Sequence, residues 1–169
     1  MAPEINRLSN ISDVRKIVAE FTHGAVSVVL YSHIKPGTIP FPTDKSSNFI
    51  ACYSYGREYP KPVIHIGKRF FTFPEYGRWR VITHELGHHF IRKVRSCAKR
   101  ELWASVYGIK LLQRLGLTYA AEYEHYNVRS WKNSKKPRFK TMSGQFSGLF
   151  PTLESLLSYD MNEHLITKI

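Results

Sequence analysis

The segment that most constrains this chain is His84-Glu85-Leu86-Gly87-His88. Residues four apart on an α-helix lie on the same side, one turn along the axis, so His84 and His88 can direct two imidazoles at one metal ion. Glu85 is rotated about 100° from His84 around the axis. A general base at that position can take a proton from the attacking water. The pattern therefore predicts two metal ligands and a catalytic base on one helix.

The flanking residues indicate that this helix has a buried side. Apolar residues recur at spacings of three, four and four, at Trp79, Ile82, Leu86 and Phe90. Such a stripe argues against the alternative, a surface helix that carries two histidines by chance. Val81, His84 and His88 fall on a different side, which we expect to line a cleft. We predict a helix over residues 74–93, with Pro74 and Glu75 in its first turn.

A third ligand is predicted on the following helix, which we expect over residues 98–115, ending at Gly116. Its residues Glu101, Ala104, Ser105 and Gly108 share one face, and all but the first are small. That face can approach Gly87, a residue that costs about 1 kcal/mol of helix propensity relative to alanine. Glu101 would then reach the ion, whereas the opposite face looks like core: Leu102, Val106, Ile109 and Leu112.

Two histidines and one carboxylate with an open fourth position are the pattern of catalytic zinc sites, whereas structural sites are closed by four protein ligands. An alternative for Glu101 is a solvated glutamate favoured by the helix dipole. Glu122 and His125 are rival ligands farther along the chain.

At this point the residues resemble a known family. The chain is similar to the ImmA/IrrE metallopeptidases at Thr83 to His89 and at Glu101-Leu102-Trp103-Ala104, with Tyr107, Ile109 and Leu112 behind this second motif. The resemblance covers residues 63–115 and implies a minimal gluzincin, zincin-like fold. It also implies zinc held by His84, His88 and Glu101, Glu85 as the base, and a helix-turn-helix repressor as substrate. The chain departs from the family at Ser105, where an acidic or amide residue often follows the alanine.

The remaining pattern predicts an α+β fold with a small three-stranded sheet, mixed or antiparallel. Residues 11–21 form an amphipathic helix after candidate caps Ser9, Asn10 and Ser12, and Gly24 ends it. Strands are expected over residues 25–31, 49–55 and 63–66, with a proline-rich loop over residues 35–48. If the third strand lies at the sheet edge beside the cleft, it could hold an extended peptide by strand addition. We expect a metallopeptidase domain over residues 1–116 and a helical extension, packed on it, over residues 117–169.

The extension shows two further patterns. Residues 117–131 have a helix–turn–helix cadence with Thr118 as a cap, Ala121 facing inward and a turn at Asn127-Val128, although two packing helices without a DNA role explain it better. Six basic residues with no acid between them then follow, at Arg129, Lys132, Lys135, Lys136, Arg138 and Lys140. They could contact phosphates, or they could simply form a solvated loop. Gly144 and Gly148 suggest a loop, and Pro151-Thr152 opens a short helix with Leu153, Leu156 and Leu157.

Charge and composition limit the classes of function that are possible. The formal charge of +12 favours polyanionic surroundings or an acidic partner. No apolar run reaches the ~18–20 residues of a membrane span, and the N-terminus lacks a signal-peptide core, so we expect a cytoplasmic protein with no membrane partner. A disulfide between Cys52 and Cys97 is not expected there.

The leading functional hypothesis is a zinc-dependent endopeptidase with a protein substrate. Its oxyanion would need a side-chain donor, and the candidates are Tyr53, Tyr55, His65, Tyr107 and His125. The alternative is a basic nucleic-acid- or protein-binding module in which the metal site is structural or vestigial. A DNA–protein crosslink protease is a third option, but those enzymes usually use a third histidine, and Glu101 counts against it.

Overall fold

The computed structural model describes residues 7–30, 50–56, 59–92 and 97–161. Within those ranges the chain is α+β, as predicted. The α-helices are α1 (Ile11–Thr22), α2 (Glu75–Phe90), α3 (Cys97–Arg114), α4 (Thr118–Ser130), α5 (Pro137–Leu149) and α6 (Leu153–Ser158). The strands are β1 (Ser27–Leu30), β2 (Ala51–Gly56) and β3 (Tyr59–Ile66), and short 3-10 helices cover Lys68–Thr72 and Trp131–Asn133. The predicted loop over residues 35–48 and the last residues of the chain lie outside the described ranges.

The first helix follows from its sequence signals. Asn10 is its N-cap, and the Asn10 side chain accepts from the backbone N–H of Asp13 while the Asp13 carboxylate accepts from that of Asn10. This capping box satisfies backbone N–H groups that have no partner inside the helix. His23 ends the helix in the left-handed conformation, and Gly24 follows with φ of 73°. The prediction for this element is confirmed.

The sheet is mixed, and its strand order is β1-β3-β2. Residues 63–66 of β3 pair in parallel with β1 and antiparallel with β2. The condition set for peptide binding by the third strand, a position at the sheet edge, is therefore not met, because β3 has a neighbour on each side. Among the described strands the edge beside the cleft belongs to β2.

Helices α2 and α3 form the centre of the molecule and pack closely against each other. A Cβ placed on Gly87 would lie 2.8 Å from the Cα of Ala104. One placed on Gly108 would lie 3.1 Å from the backbone nitrogen of His84. A contact of 2.8 Å with backbone is closer than real Cβ atoms approach, so Gly87 excludes a side chain. A Cβ at Gly108 would require the α2 backbone to shift by a few tenths of an ångström. The close approach predicted from the small-residue face of α3 is confirmed.

One hydrophobic core joins the sheet to all six helices. It includes Val14 of α1, Ile64 of β3 and Trp79 of α2. The predicted core face of α3 is buried, at Leu102, Val106, Ile109 and Leu112. Phe90, expected in the buried stripe of α2, is instead 37% exposed and stacks on Tyr107 with ring centroids 4.6 Å apart. The core residues of α4, α5 and α6 belong to the same cluster.

Helix α4 corrects the predicted helix–turn–helix. It runs without a break from Thr118 to Ser130, so Asn127 and Val128 are helical, and Leu117 rather than Thr118 is the N-cap. The segment contains no glycine or proline, and a buried stripe with helical spacing extends through Ala121, Glu124, His125 and Val128. Ala121 faces inward as predicted, and burial of Val128 holds the helix through the expected turn.

Helix α5 corrects the predicted loops on either side of residue 140. Pro137 begins the helix at a position where proline is tolerated, and Gly144 and Gly148 lie inside it. Met142, Phe146 and Phe150 recur every four residues and are buried. That apolar stripe outweighs the low helix propensity of the glycines. The short helix predicted after Pro151-Thr152 is confirmed as α6, with Thr152 as its N-cap.

Candidate metal centre

The structure brings the side chains of His84, His88 and Glu101 together at the α2–α3 contact. Glu101 Oε2 lies 3.4 Å from His84 Nε2 and 3.7 Å from His88 Nε2. The three potential ligand atoms all lie within 4.8 Å of one another. This is the only such cluster of histidine, cysteine and acidic side chains in the described ranges.

These distances fit a metal ion of the size of zinc. Zinc–ligand distances of ~2.0–2.1 Å at tetrahedral angles separate ligand atoms by about 3.3–3.4 Å. The His84–Glu101 separation matches that value, and the His88–Glu101 separation is a few tenths of an ångström longer. Two imidazole nitrogens and one carboxylate oxygen are also a donor set that zinc accepts. The residues present therefore fit the ion.

The rival ligands lie elsewhere. His125 is buried, and its Nε2 is 3.1 Å from the carbonyl oxygen of Phe150. Glu122 is exposed on α4. His89, next to His88, turns away from the cluster, and its Nδ1 lies 3.0 Å from the hydroxyl of Tyr53.

Ser105 on α3 supports His84 from the side opposite the cluster. Its hydroxyl oxygen lies 3.3 Å from Nδ1 of His84. When Nε2 of a histidine binds a metal, Nδ1 carries the proton and needs an acceptor, which fixes the tautomer and the ring orientation. Ser105, noted in the sequence as a small residue on the face of α3 and as a departure from a family pattern, provides that acceptor.

Glu85 is held beside the cluster by strand β2. The backbone N–H of Tyr53 donates to Glu85 Oε2 at 2.9 Å. Burial raises the pKa of Glu85 above the usual range, although the charge of His84 and the Tyr53 N–H partly oppose this effect. Its carboxylate is thus oriented by a different element, and the rise moves its pKa toward neutrality, which favours a general base.

The pKa values of the two imidazoles shift in opposite directions. Burial alone would lower the pKa of His84, but the hydrogen bond to Glu101 and the charges of nearby carboxylates raise it. Burial and the neighbouring charge of His84 lower the pKa of His88. The Glu101 carboxylate acts to raise the pKa of both imidazoles, so it favours positive charge at this position.

A cleft of about 350 Å³ opens over the cluster. Besides His84, Glu85, His88 and Glu101, its lining includes Tyr53, Tyr55 and Arg100. Cys52 also lines it, and burial, with a contribution from Glu85, raises the pKa of this thiol to about 11. The predicted position of the histidines on a cleft-lining side of α2 is confirmed.

Of the five oxyanion candidates, Tyr53 and Tyr55 line this cleft. Tyr55 donates to the carbonyl oxygen of Arg92 at 3.1 Å and accepts from Arg100 Nη1 at 3.2 Å. His65 is buried within β3 and Tyr107 stacks on Phe90, so neither lines the cleft. Arg100 was not predicted from the sequence as a cleft residue. Its position next to Glu101 in the first turns of α3 could have indicated that it lies near the metal centre.

Comparison with protein-family models, with curated proteins and with solved structures finds no match to this chain. No helix in the described ranges has the length and apolar character needed to span a membrane.

Proposed function

We propose that this protein is a zinc-dependent endopeptidase. The observation that supports it most strongly is the arrangement in one cleft of three ligand side chains and a second carboxylate, Glu85, held by the Tyr53 N–H. A structural zinc site would need a fourth protein ligand, whereas three ligands leave a position for water or substrate. The sequence resemblance to the ImmA/IrrE metallopeptidases supports the same reaction and a zincin-like fold.

His84, His88 and Glu101 would hold the zinc ion, with Ser105 orienting His84. Zinc at this site would supply Lewis acidity, which activates water and polarises the scissile carbonyl. Glu85 would accept the proton of the attacking water and deliver it to the leaving amine. Its raised pKa suits both roles, since the group must take up a proton and then release it.

Arg100 is the side chain that we propose to stabilise the developing oxyanion. Its guanidinium carries five N–H donors, and Tyr55 accepts from Nη1. Tyr55 already donates its hydroxyl proton to the Arg92 carbonyl, so it acts by holding Arg100 in the cleft. A fixed donor of this kind is worth more than a mobile one, because no reorganisation is needed during the reaction.

Strand β2 would bind the substrate backbone. It pairs with β3 on one side, and Ala51, Cys52 and Tyr53 line the cleft on the other. An edge strand can hold an extended peptide by main-chain hydrogen bonds, which would place a scissile bond over Glu85. The strand-addition hypothesis made for β3 thus moves to β2. From the sequence resemblance we propose a cytoplasmic helix-turn-helix repressor as the natural substrate.

Proteolysis by the zinc-loaded protein and its Glu85→Gln variant tests this function. A diverse peptide library is incubated with each, and cleavage is read by mass spectrometry. We expect cleavage by the wild type, its loss on chelation, and a loss of at least about 10³-fold in the variant, which retains zinc. Undiminished cleavage by Glu85→Gln, or none by the zinc-loaded wild type, would contradict the proposal.

A second candidate function, binding to nucleic acid, is favoured by the surface around the start of α5. The side chains of five of the six predicted basic residues are exposed, at Arg129, Lys132, Lys135, Lys136 and Lys140. The side chain of Arg138 lies outside the described part of the chain. These cations can contact phosphates in addition to any peptidase activity.

The salt dependence of duplex affinity tests the second function. The double variant Lys132→Glu/Lys135→Glu should lower the affinity. It should also reduce the magnitude of the slope of log K against log salt by the amount that corresponds to about two phosphate contacts. Lys16→Glu/Lys68→Glu carries the same charge change on other exposed positions and serves as the control. Equal duplex affinity of the two double variants would show that this surface is not the binding site.

A further inference from the structure

A second cavity of about 420 Å³ adjoins the candidate metal centre, and Arg100 is not part of its lining. It lies between α2, α4 and the start of β2, and it shares Ala51, His84 and Glu85 with the catalytic cleft. We call it the α2–α4 cavity. A group that occupies it would therefore be directly next to the base and to one metal ligand. Its volume lies within the ~300–1,000 Å³ of protein cavities that bind small ligands.

The walls of the α2–α4 cavity are largely apolar. They include Ile50, Phe73, Val81 and Trp131, each of which is half-buried. Apolar walls that are already partly removed from water favour an apolar guest, because its burial releases water from both surfaces.

The polar end of the cavity is electrically neutral and already hydrogen-bonded. Arg80 and Glu124 form an ion pair, and Arg80 Nε donates to Glu124 Oε2 at 2.6 Å. Asn127 Nδ2 donates to the same oxygen at 3.3 Å. The guanidinium of Arg80 also lies 4.6 Å from the ring centroid of Tyr123. A charged guest would lose its hydration there without gaining a free partner of opposite charge.

We propose that the α2–α4 cavity is a specificity pocket for a bulky, uncharged side chain on the substrate residue that flanks the scissile bond. Leucine, methionine and phenylalanine are the class of residue that its walls and neutral end accept. Aspartate is excluded by the desolvation cost, because Arg80 is already paired with Glu124, and alanine leaves the walls without contacts. This inference rests on the proposed peptidase function and names the side chain that the site would select.

The test uses binding of hydroxamates to the zinc-loaded protein, measured by calorimetry. The probes are acetohydroxamate, 3-phenylpropanohydroxamate and the monohydroxamate of succinic acid. We expect the phenyl probe to bind at least about 10-fold more tightly than acetohydroxamate, and the charged probe to gain nothing. Equal affinity for the phenyl and methyl probes would overturn the proposal.

Substitutions at Val81 assign the preference to this cavity. Val81→Trp fills it and should remove the advantage of the phenyl probe over acetohydroxamate. Val81→Ala keeps the cavity and should keep the advantage. Tyr76→Trp places a tryptophan at an exposed position of α2 outside the cavity and should also keep it. An unchanged preference in Val81→Trp would overturn the assignment.

The failure of this proposal differs from the failure of the proposed function. A protein that cleaves peptides and binds acetohydroxamate, but shows no preference for bulky side chains, contradicts the cavity alone. A protein that binds neither zinc nor acetohydroxamate contradicts the metal centre, and the specificity proposal fails with it.

Discussion

At the residue scale, the four side chains at the centre of the site, His84, Glu85, His88 and Glu101, all come from the packed helices α2 and α3. Four-residue spacing fixes the relation of the two histidines, and a face of small residues on the next helix indicated where Glu101 would approach. Tyr53, Tyr55 and Glu124 could not be found in this way. They reach the site from β2 and α4, and their position depends on how those elements pack on α2.

At the residue scale, the contact between Ser105 and His84 predicts a change in zinc affinity. Ser105→Ala removes the acceptor of His84 Nδ1 and should weaken zinc binding by about 10-fold, while saturation at excess zinc is retained. Competition with a chromophoric chelator measures this affinity.

Ser143→Ala is the matched control for that substitution. Ser143 is also buried, but its hydroxyl donates to the carbonyl oxygen of Arg129, away from the metal centre. It should lower stability without changing zinc affinity. If Ser105→Ala binds zinc as tightly as the wild type, Ser105 has no part in orienting His84.

At the scale of elements, sequence patterns located the helices better than their connections. Apolar periodicity identified α1, α2 and α3, and the cap at Thr152 identified α6. The errors occurred where one residue type was given more weight than the apolar stripe around it, as with Asn127 in α4 and Gly144 in α5. The place of β3 in the middle of the sheet depends on non-local pairing, which its own residues do not reveal.

The contact between α2 and α3 yields a prediction at this scale. Gly87→Ala would gain about 1 kcal/mol of helix propensity. The new Cβ would also press on the backbone at Ala104, and overpacking of this kind costs about 1–3 kcal/mol or more. We expect a net loss in the free energy of unfolding, measured by urea denaturation of the metal-free protein.

Gly144→Ala separates the two effects. Gly144 is helical in α5, and a Cβ there meets no atom within 4 Å, so alanine should stabilise the protein by up to about 1 kcal/mol. If Gly87→Ala and Gly144→Ala are both at least as stable as the wild type, the close packing of α2 on α3 does not require glycine at position 87.

At the scale of the whole molecule, one core holds the sheet, the two site helices and the C-terminal helices together. The α+β class followed from the order of the sequence patterns. How the parts face one another could not be derived from composition or order. The cleft, the edge strand β2 and the α2–α4 cavity all arise from that arrangement.

Zinc stoichiometry, determined by elemental analysis of purified protein, tests the central claim most directly. We predict one zinc ion per chain in the wild type and in Glu85→Gln, because Glu85 does not bind the ion. Glu101→Ala should lose most of its zinc at limiting metal, while Glu122→Ala and His125→Ala should keep it. Full zinc occupancy in Glu101→Ala, or none in the wild type after exposure to zinc, would contradict the metal centre of His84, His88 and Glu101.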